Sequence, residues 1–285
     1  MSKHDIIGSK KIGFIGCGNM GQAVLSAFMN SGLVKSNNVG IITKTEKKQN
    51  KLKEEYGVQA FSTIEELIDF SDIVIIAIKP QDIYSVIEPI SSSFHEGHMV
   101  WSLAAGVSLR SLQGLVSGTR QIIRVMPNTA SKVGESVVAY SATDAAKVHT
   151  GWVEELLKTL GYVVCVQDGD EMEALTVAAG SGIGFVLELM TYWQEWLEER
   201  GISKEEAKNI TSQVFMGAAA LVKGLPNVSI DELQRKVVST KGVTHSGLLS
   251  MRELEIERAL RYSFEKAALR DKELGQNWQK TNEKS

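Results

Sequence analysis

The chain has 285 residues, 43% of them hydrophobic and 23% charged, with a formal net charge of −3. That balance fits one large or two ordinary globular domains and lacks the basic excess of a nucleic-acid-binding face. Two cysteines, Cys17 and Cys165, each in an apolar stretch and without a CxxC pair, read as reduced thiols of a cytoplasmic protein. Residues 1–11 carry no long apolar core and no cleavage pattern, so no signal peptide is expected.

The first element is a short apolar strand, Ile12 to Ile15, running into Gly16-Cys17-Gly18-Asn19-Met20-Gly21 and then a helical pattern over 22–30. G-x-G-x-x-G between a strand and a helix has a physical reason. The first glycine permits the tight turn, the second leaves room for a pyrophosphate, and the third lets the helix pack close to the strand. The helix then points its unpaired N–H groups and positive dipole end at the phosphates. Dinucleotide binding is therefore expected; outside this context the motif would be a plain turn.

A second strand, 39–43, ends in Thr43-Lys44-Thr45, where an NAD-binding chain places an acidic residue on the ribose 2′-hydroxyl. A cation and two hydroxyls suit a 2′-phosphate, so NADP is preferred, with NAD kept possible by Glu46. Lys44 by itself also reads as a solvated loop charge. A charged helix, Glu46–Tyr56, ends at Gly57; a short strand at 59–61 and a helix over Ile64–Phe70, N-capped by Thr63, follow. Residues 73–78 are a continuous apolar run, the pattern of a strand covered on both faces. The run ends at Lys79-Pro80, where proline starts the next helix.

His95 and His98 have metal-like spacing without a second ligand pair and read as surface-loop histidines. A strand at 99–103 ends in the small residues Ala104-Ala105-Gly106, and another, Gln121–Met126, ends in Pro127-Asn128-Thr129. Strands at 136–141 and 162–166 flank a helix over 144–160. The alternation predicts an α/β Rossmann-type doubly wound sheet over residues 9–167.

Strand-like runs then stop. Helices are expected over 171–199, 204–223, 230–238 and 255–274, with a Ser203–Glu206 capping box. The stretch 175–190 reads as too short and too polar for a membrane span, yet 175–187 is apolar all round and must be covered. A subunit interface covers it more fully than a small bundle, so residues 168–275 are expected to be an all-α domain through which the chain forms a homo-oligomer. Residues 276–285 read as a loose polar tail. Between two helices lies KVVSTKGVTHSG, residues 236–247, whose hydroxyls and free N–H groups suit either a bound carboxylate or an ordinary connection.

In this order, GFIGCGNMG, DIVIIAIKPQD, SLAAGVS, IIRVMPNTA, AAGSGIGFV and LQRKVVSTKGVTHSGL make the chain resemble the pyrroline-5-carboxylate reductases from about Lys11 to Leu274. The resemblance implies reduction of 1-pyrroline-5-carboxylate to L-proline with NAD(P)H, the last step of proline synthesis. It also implies a Rossmann domain followed by a helical dimerisation domain, with dimers that in many members build decamers. Carried over residue by residue, Phe14, Ile15, Gly16, Cys17, Gly18, Asn19, Met20 and Gly21 would cradle the cofactor. Thr43, Lys44 and Thr45 would face the adenosine ribose. Ala77, Ile78, Lys79 and Pro80, with Leu103, Ala104 and Ala105, would line the crevice, and Lys236 would contact the cofactor. Thr244 would hydrogen-bond the ring nitrogen as the catalytic residue, with Ser239, Gly242 and Val243 in the substrate loop.

Three departures touch the substrate half. The family pattern S-P-G-G-x-T stands here as Ser239-Thr240-Lys241-Gly242-Val243-Thr244. If the replaced glycine has φ > 0, Lys241 is strained; its charge either meets the substrate carboxylate or points to water. G-S-G-P-A-Y becomes Gly180-Ser181-Gly182-Ile183-Gly184-Phe185, without the tyrosine hydroxyl, and a family asparagine near the adenosine appears as Ile64. The sequence thus leaves open a related NADP-dependent imine or carbonyl reductase acting on another small acid. It also leaves open a regulatory paralogue that keeps only the cofactor fold.

Overall fold

The computed structural model describes residues 2–282, with side chains described through residue 275. Eight strands form one sheet: β1 (Ile12–Ile15), β2 (Val39–Ile42), β3 (Gln59–Ala60), β4 (Ile73–Ile76), β5 (Met99–Ser102), β6 (Gln121–Met126), β7 (Ser136–Ala142) and β8 (Gly161–Cys165). Their order is β3-β2-β1-β4-β5-β6-β7-β8, parallel throughout except for the antiparallel β6–β7 pair.

Alternate residues of each central strand serve opposite faces. Ile12, Phe14, Ile73, Ile75 and Trp101 pack with residues of the helices Asn19–Ser31 and Thr150–Leu157. Ile15, Val74, Ile76 and Val100 pack with residues of Ile64–Phe70 and Leu109–Leu115. Both faces are covered, which is why 73–76 is uninterruptedly apolar. Local signals set the helix ends. Gly57, at φ +69, takes the left-handed position after Glu46–Tyr56, and Thr63 and Glu66 form a reciprocal capping box before Ile64–Phe70.

Several expectations need correction. A helix Lys3–Ser9, capped by Ser2 and Asp5, buries Ile7 where no element was expected. The helix expected over 144–160 is two, Asp144–Lys147 and Thr150–Leu157. The break tightens to an i−3 bond, from His149 N–H to Ala146 O, and the Thr150 hydroxyl donates to Lys147 O at 2.9 Å. Cys165 is exposed, whereas Cys17 is buried. His98 is no surface histidine: it is buried and stacks on His95 at 3.7 Å between ring centroids, and burial lowers its pKa.

By contacts the chain forms two units, Met1–Ile183 with Ala267–Ser285, and Gly184–Lys266. Instead of one regular helix, residues 170–199 are Asp170–Leu175, a π-helical turn Thr176–Ser181, and Gly182–Glu199. Gly180 and Gly182 hold an α-ladder weakly. Asn128 supplies a side-chain donor to the widened turn, Nδ2 to Ala179 O at 3.0 Å. The stretch 175–190, expected to be too short and too polar for a membrane span, lies within Asp170–Glu199, which at 30 residues is long and apolar enough to cross a bilayer by length and composition alone.

The second unit contains Lys204–Gly224, Ile230–Lys236 and Val243–Glu253. The final helix is Ile256–Asn282, entered through Glu255 at φ +51. The loop expected over 236–247 is therefore only 237–242, and Thr244 stands in the first turn of a helix. Helical backbone runs through most of the expected tail; residues 283–285 lie outside the described residues.

Candidate cofactor crevice and substrate loop

β1 is where the strand order reverses, with β2 on one side and β4 on the other. The register puts the strand ends level: Ile15 opposite Ile42 and Ile76, and Ile76 opposite Ser102. The Ile15 carbonyl accepts from Ala77 N–H at 2.9 Å, and Gly16 N–H donates to Ile42 O at 2.8 Å. Such a crevice, outside the carboxyl ends of parallel strands at a switch point, is the ligand position of this architecture.

The three glycines play distinct parts. Gly16 has φ +81, and a Cβ there would lie 2.9 Å from Ala77 O and 2.5 Å from Ile78 Cγ2. A Cβ on Gly18 would meet nothing within 4 Å, which is open room beside the turn. At Gly21 it would lie 2.9 Å from Ala77 Cβ, so helix and strand touch only because the side chain is missing. Gly18 is the N-cap of the 13-residue helix Asn19–Ser31 and gives it no side-chain cap. The first-turn N–H groups are left for an anion. The residues present thus fit a dinucleotide's pyrophosphate.

Phe14 is fully buried, and Cys17 is buried deeply enough that its thiol is pushed up to about 12. Ile15, Gly16, Thr43, Lys44 and Ile78 line a cavity of about 430 Å³, walled also by Ile64. Thr43 is already engaged: its N–H donates to Gln49 Oε1 at 2.8 Å and its hydroxyl to Thr45 O at 2.9 Å. Gln49 also donates to Phe61 O at 2.8 Å, so it ties the end of β2 to the end of β3. Lys44 is exposed, and Thr45 precedes Glu46–Tyr56 without spending its hydroxyl on a cap. Sequence reasoning missed Gln49, because a glutamine in a charged helix carries no local signal.

Past the switch point, Ala77 is buried and Lys79 exposed at the start of the Pro80 turn. Leu103 N–H donates to Ile76 O at 3.0 Å, and Leu103 and Ala104 are buried while Ala105 is half-buried. Two further groups here were not foreseen. Asn128 is buried; its Oδ1 accepts from Ala130 N–H at 2.9 Å while its Nδ2 holds the π-turn. Arg124, buried on β6, forms an ion pair with Asp168. A lone arginine inside an apolar strand was the available signal.

The remaining site residues, Lys236, Ser239, Lys241, Gly242, Val243 and Thr244, belong to the second unit. Lys236 ends its helix, and Gly242 N–H donates to Ser239 O at 3.0 Å, closing a tight loop. Lys241 has φ +61, so the left-handed conformation expected for a glycine persists with a lysine in it. A Cβ on Gly242 would lie 2.1 Å from Ser239 Oγ. Gly242 gives the helix Val243–Glu253 no side-chain cap, Thr244 is exposed in its first turn, and Val243 is 94% exposed.

Residues 11–106 match the family model of NADP oxidoreductases, coenzyme F420-dependent, and residues 169–274 that of pyrroline-5-carboxylate reductase dimerisation. Pyrroline-5-carboxylate reductase 2 of Bacillus subtilis is 29% identical, covering 93% of this chain and 95% of its own. The Aquifex aeolicus pyrroline-5-carboxylate reductase is 32% identical over 88% of this chain and 92% of its own. Among solved structures, Plasmodium falciparum pyrroline carboxylate reductase with NADP bound superposes with a TM-score of 0.86 at 25% identity, covering 94% of this chain and 99% of that one.

Proposed function

This chain belongs to the pyrroline-5-carboxylate reductase family, and from that premise we propose how its residues carry out the NADP(H)-dependent reduction of 1-pyrroline-5-carboxylate to L-proline. The carrying observation is the glycine cradle at the switch point: open at Gly18, closed at Gly16 and Gly21. NADPH, when bound, supplies the hydride.

The chain's own residues bind and orient. The first turn of Asn19–Ser31 takes the pyrophosphate with backbone N–H groups. Lys44 and the free Thr45 hydroxyl favour a 2′-phosphate. Phe14 and Cys17 support the cradle from the core, and Asn19 and Met20 continue it. Ala77 to Pro80 and Leu103 to Ala105 form the wall beyond it, and the family resemblance assigns Lys236 to the cofactor as well.

At the reacting centre, hydride adds to the carbon of a C=N bond, and the protonated imine is the better acceptor. The Thr244 hydroxyl, exposed in a helical first turn, accepts from the iminium N–H and aligns the ring. The substrate carboxylate meets the uncapped N–H groups after Gly242 and the Lys241 ammonium, with Ser239 shaping the loop and Val243 covering the ring. No protein group need donate a proton, so the acceleration comes from orientation and charge complementarity.

The chain is a homo-oligomer, as its dimerisation segment requires. Trp193 and Trp196 stand 45% and 55% exposed on the helix Gly182–Glu199, and a second copy supplies their cover. The same reading implies decamers built from dimers and a cytoplasmic enzyme without nucleic-acid or membrane partners. Sedimentation counts the protomers; at least two are required.

The deciding experiment is NADPH oxidation by the purified protein with pyrroline-5-carboxylate, beside Thr244→Ala. The reading requires turnover that drops at least about tenfold, or about 1.4 kcal/mol of transition-state stabilisation, in the variant. NADPH binding without turnover would leave only a cofactor-binding paralogue.

A further inference from the structure

We propose that the C-terminal helix Ile256–Asn282 is a positioning element for the nicotinamide end of the crevice, acting through the turn 271–275 seated on the loop after β5. The inference rests on the proposed role of Leu103 to Ala105 as crevice wall, since Gly106 directly follows them.

Two glycines make the seat. Gly106 has φ +73, and a Cβ there would lie 2.8 Å from Asp271 O; a Cβ on Gly275 would lie 2.5 Å from Gly106 O. These are backbone-on-backbone distances, so neither position takes a side chain without shifting the helix or the loop. A charged cluster surrounds the seat. Arg124 ties β6 to Asp168, and Asp168 Oδ2 accepts from Leu109 N–H at 2.7 Å, which fixes the far end of the same loop. Asp271, 9% exposed, approaches this pair from the helix, and the adjacent Lys272 reaches Glu173 Oε1 at 3.1 Å. The groups border one cavity of about 430 Å³.

The cluster is poorly suited to stability alone. Arg124 Nε and Asp271 Oδ1 are buried without partners, a costly arrangement that apolar packing would avoid. What it provides is register: one helical turn is held opposite one loop, with strand, loop and helix meeting at Arg124. Burial pushes the Asp271 carboxyl up, against the pull of Arg124 and of the Gly106 amide, while Glu173 adds to the push. An amide at this position would accept from the Gly106 N–H as the carboxyl does.

The test uses the full chain and two probes, NADPH and 2′-phospho-ADP-ribose, which lacks the nicotinamide. Asp271→Leu and Gly275→Ala should each raise the NADPH Kd about tenfold, or about 1.4 kcal/mol, and lower kcat. The 2′-phospho-ADP-ribose Kd should stay within about twofold, and Asp271→Asn should recover most of the loss. Equal weakening of both probes would mark a merely structural contact and overturn the proposal, as would no change in either. Ala105→Phe separates the two readings. If it leaves NADPH binding intact, the crevice wall is wrongly placed and the inference falls with it. If it blocks NADPH while the Asp271 and Gly275 variants bind normally, the wall stands and only the positioning role fails.

Discussion

The cofactor crevice and the substrate loop are built by opposite means. At the crevice every strand end is level with its neighbour, each glycine has a steric reason, and the flanking amides are paired within the sheet. In the substrate loop, a lysine sits in a left-handed conformation, Val243 and Thr244 are exposed, and the helix N-terminus is uncapped. A parallel sheet satisfies its own backbone and so completes its site inside one chain. A loop between helices has no ladder to lean on, and its groups stay exposed.

The comparison breaks most sharply at Gly16. Gly16→Val adds a β-branched side chain at φ +81 against Ala77 O and should abolish NADPH binding and destabilise the fold by roughly 3 kcal/mol or more. Calorimetry and NADPH titration both register it. Gly18→Ala is the companion: with nothing within 4 Å of the new Cβ, melting should hold while NADPH binding weakens about tenfold. Unchanged NADPH binding would mean the open space is not where the pyrophosphate lies.

In the helical half, Trp193→Glu combined with Trp196→Glu should shift the protein toward monomer in sedimentation, because it places charge on an apolar face. Lys241→Gly sharpens the contrast in the opposite direction. It should relieve about 1 kcal/mol of left-handed strain while raising KM for pyrroline-5-carboxylate, if the ammonium meets the substrate carboxylate. An unchanged KM would assign Lys241 to solvent.

The smallest effect is on pH. The folded-state pKa of Asp271 is raised from 3.8, so the native state holds a proton that the unfolded chain releases. Its contribution to stability is full below the unfolded value and is lost as pH rises through the folded one. Asp271→Asn should flatten this part of the denaturation profile, gaining on the parent as pH rises above the ordinary carboxylate range. Parallel profiles would show that Asp271 ionises freely in the native state.

Much of the first unit was legible because its signals are local. An apolar run, a glycine at a turn and a threonine before a helix each state their structure within a few residues, so β1, β4 and the helix Ile64–Phe70 were readable. Some misreadings trace to distant partners: the π-turn depends on Asn128, 51 residues before Ala179, and the helix Lys3–Ser9 gains its worth from the core that receives Ile7. Others are local: Gln49 holds Thr43 from six residues away, and the break after Lys147 rests on i−3 bonds, contacts that no residue pattern announces.

The sequence by itself determined the βα alternation, the glycine cradle, the helical second half and the family. Each of these is a repeating pattern or a compact motif that neighbouring residues specify. Only the tertiary structure decided that Thr244 opens a helix, that Lys241 keeps a glycine's conformation, and that Arg124, Asp168 and Asp271 meet beneath the loop after β5. The first two are set by the backbone around Gly242, and the last hangs on buried charge between segments far apart in the chain, where no local pattern encodes a distance.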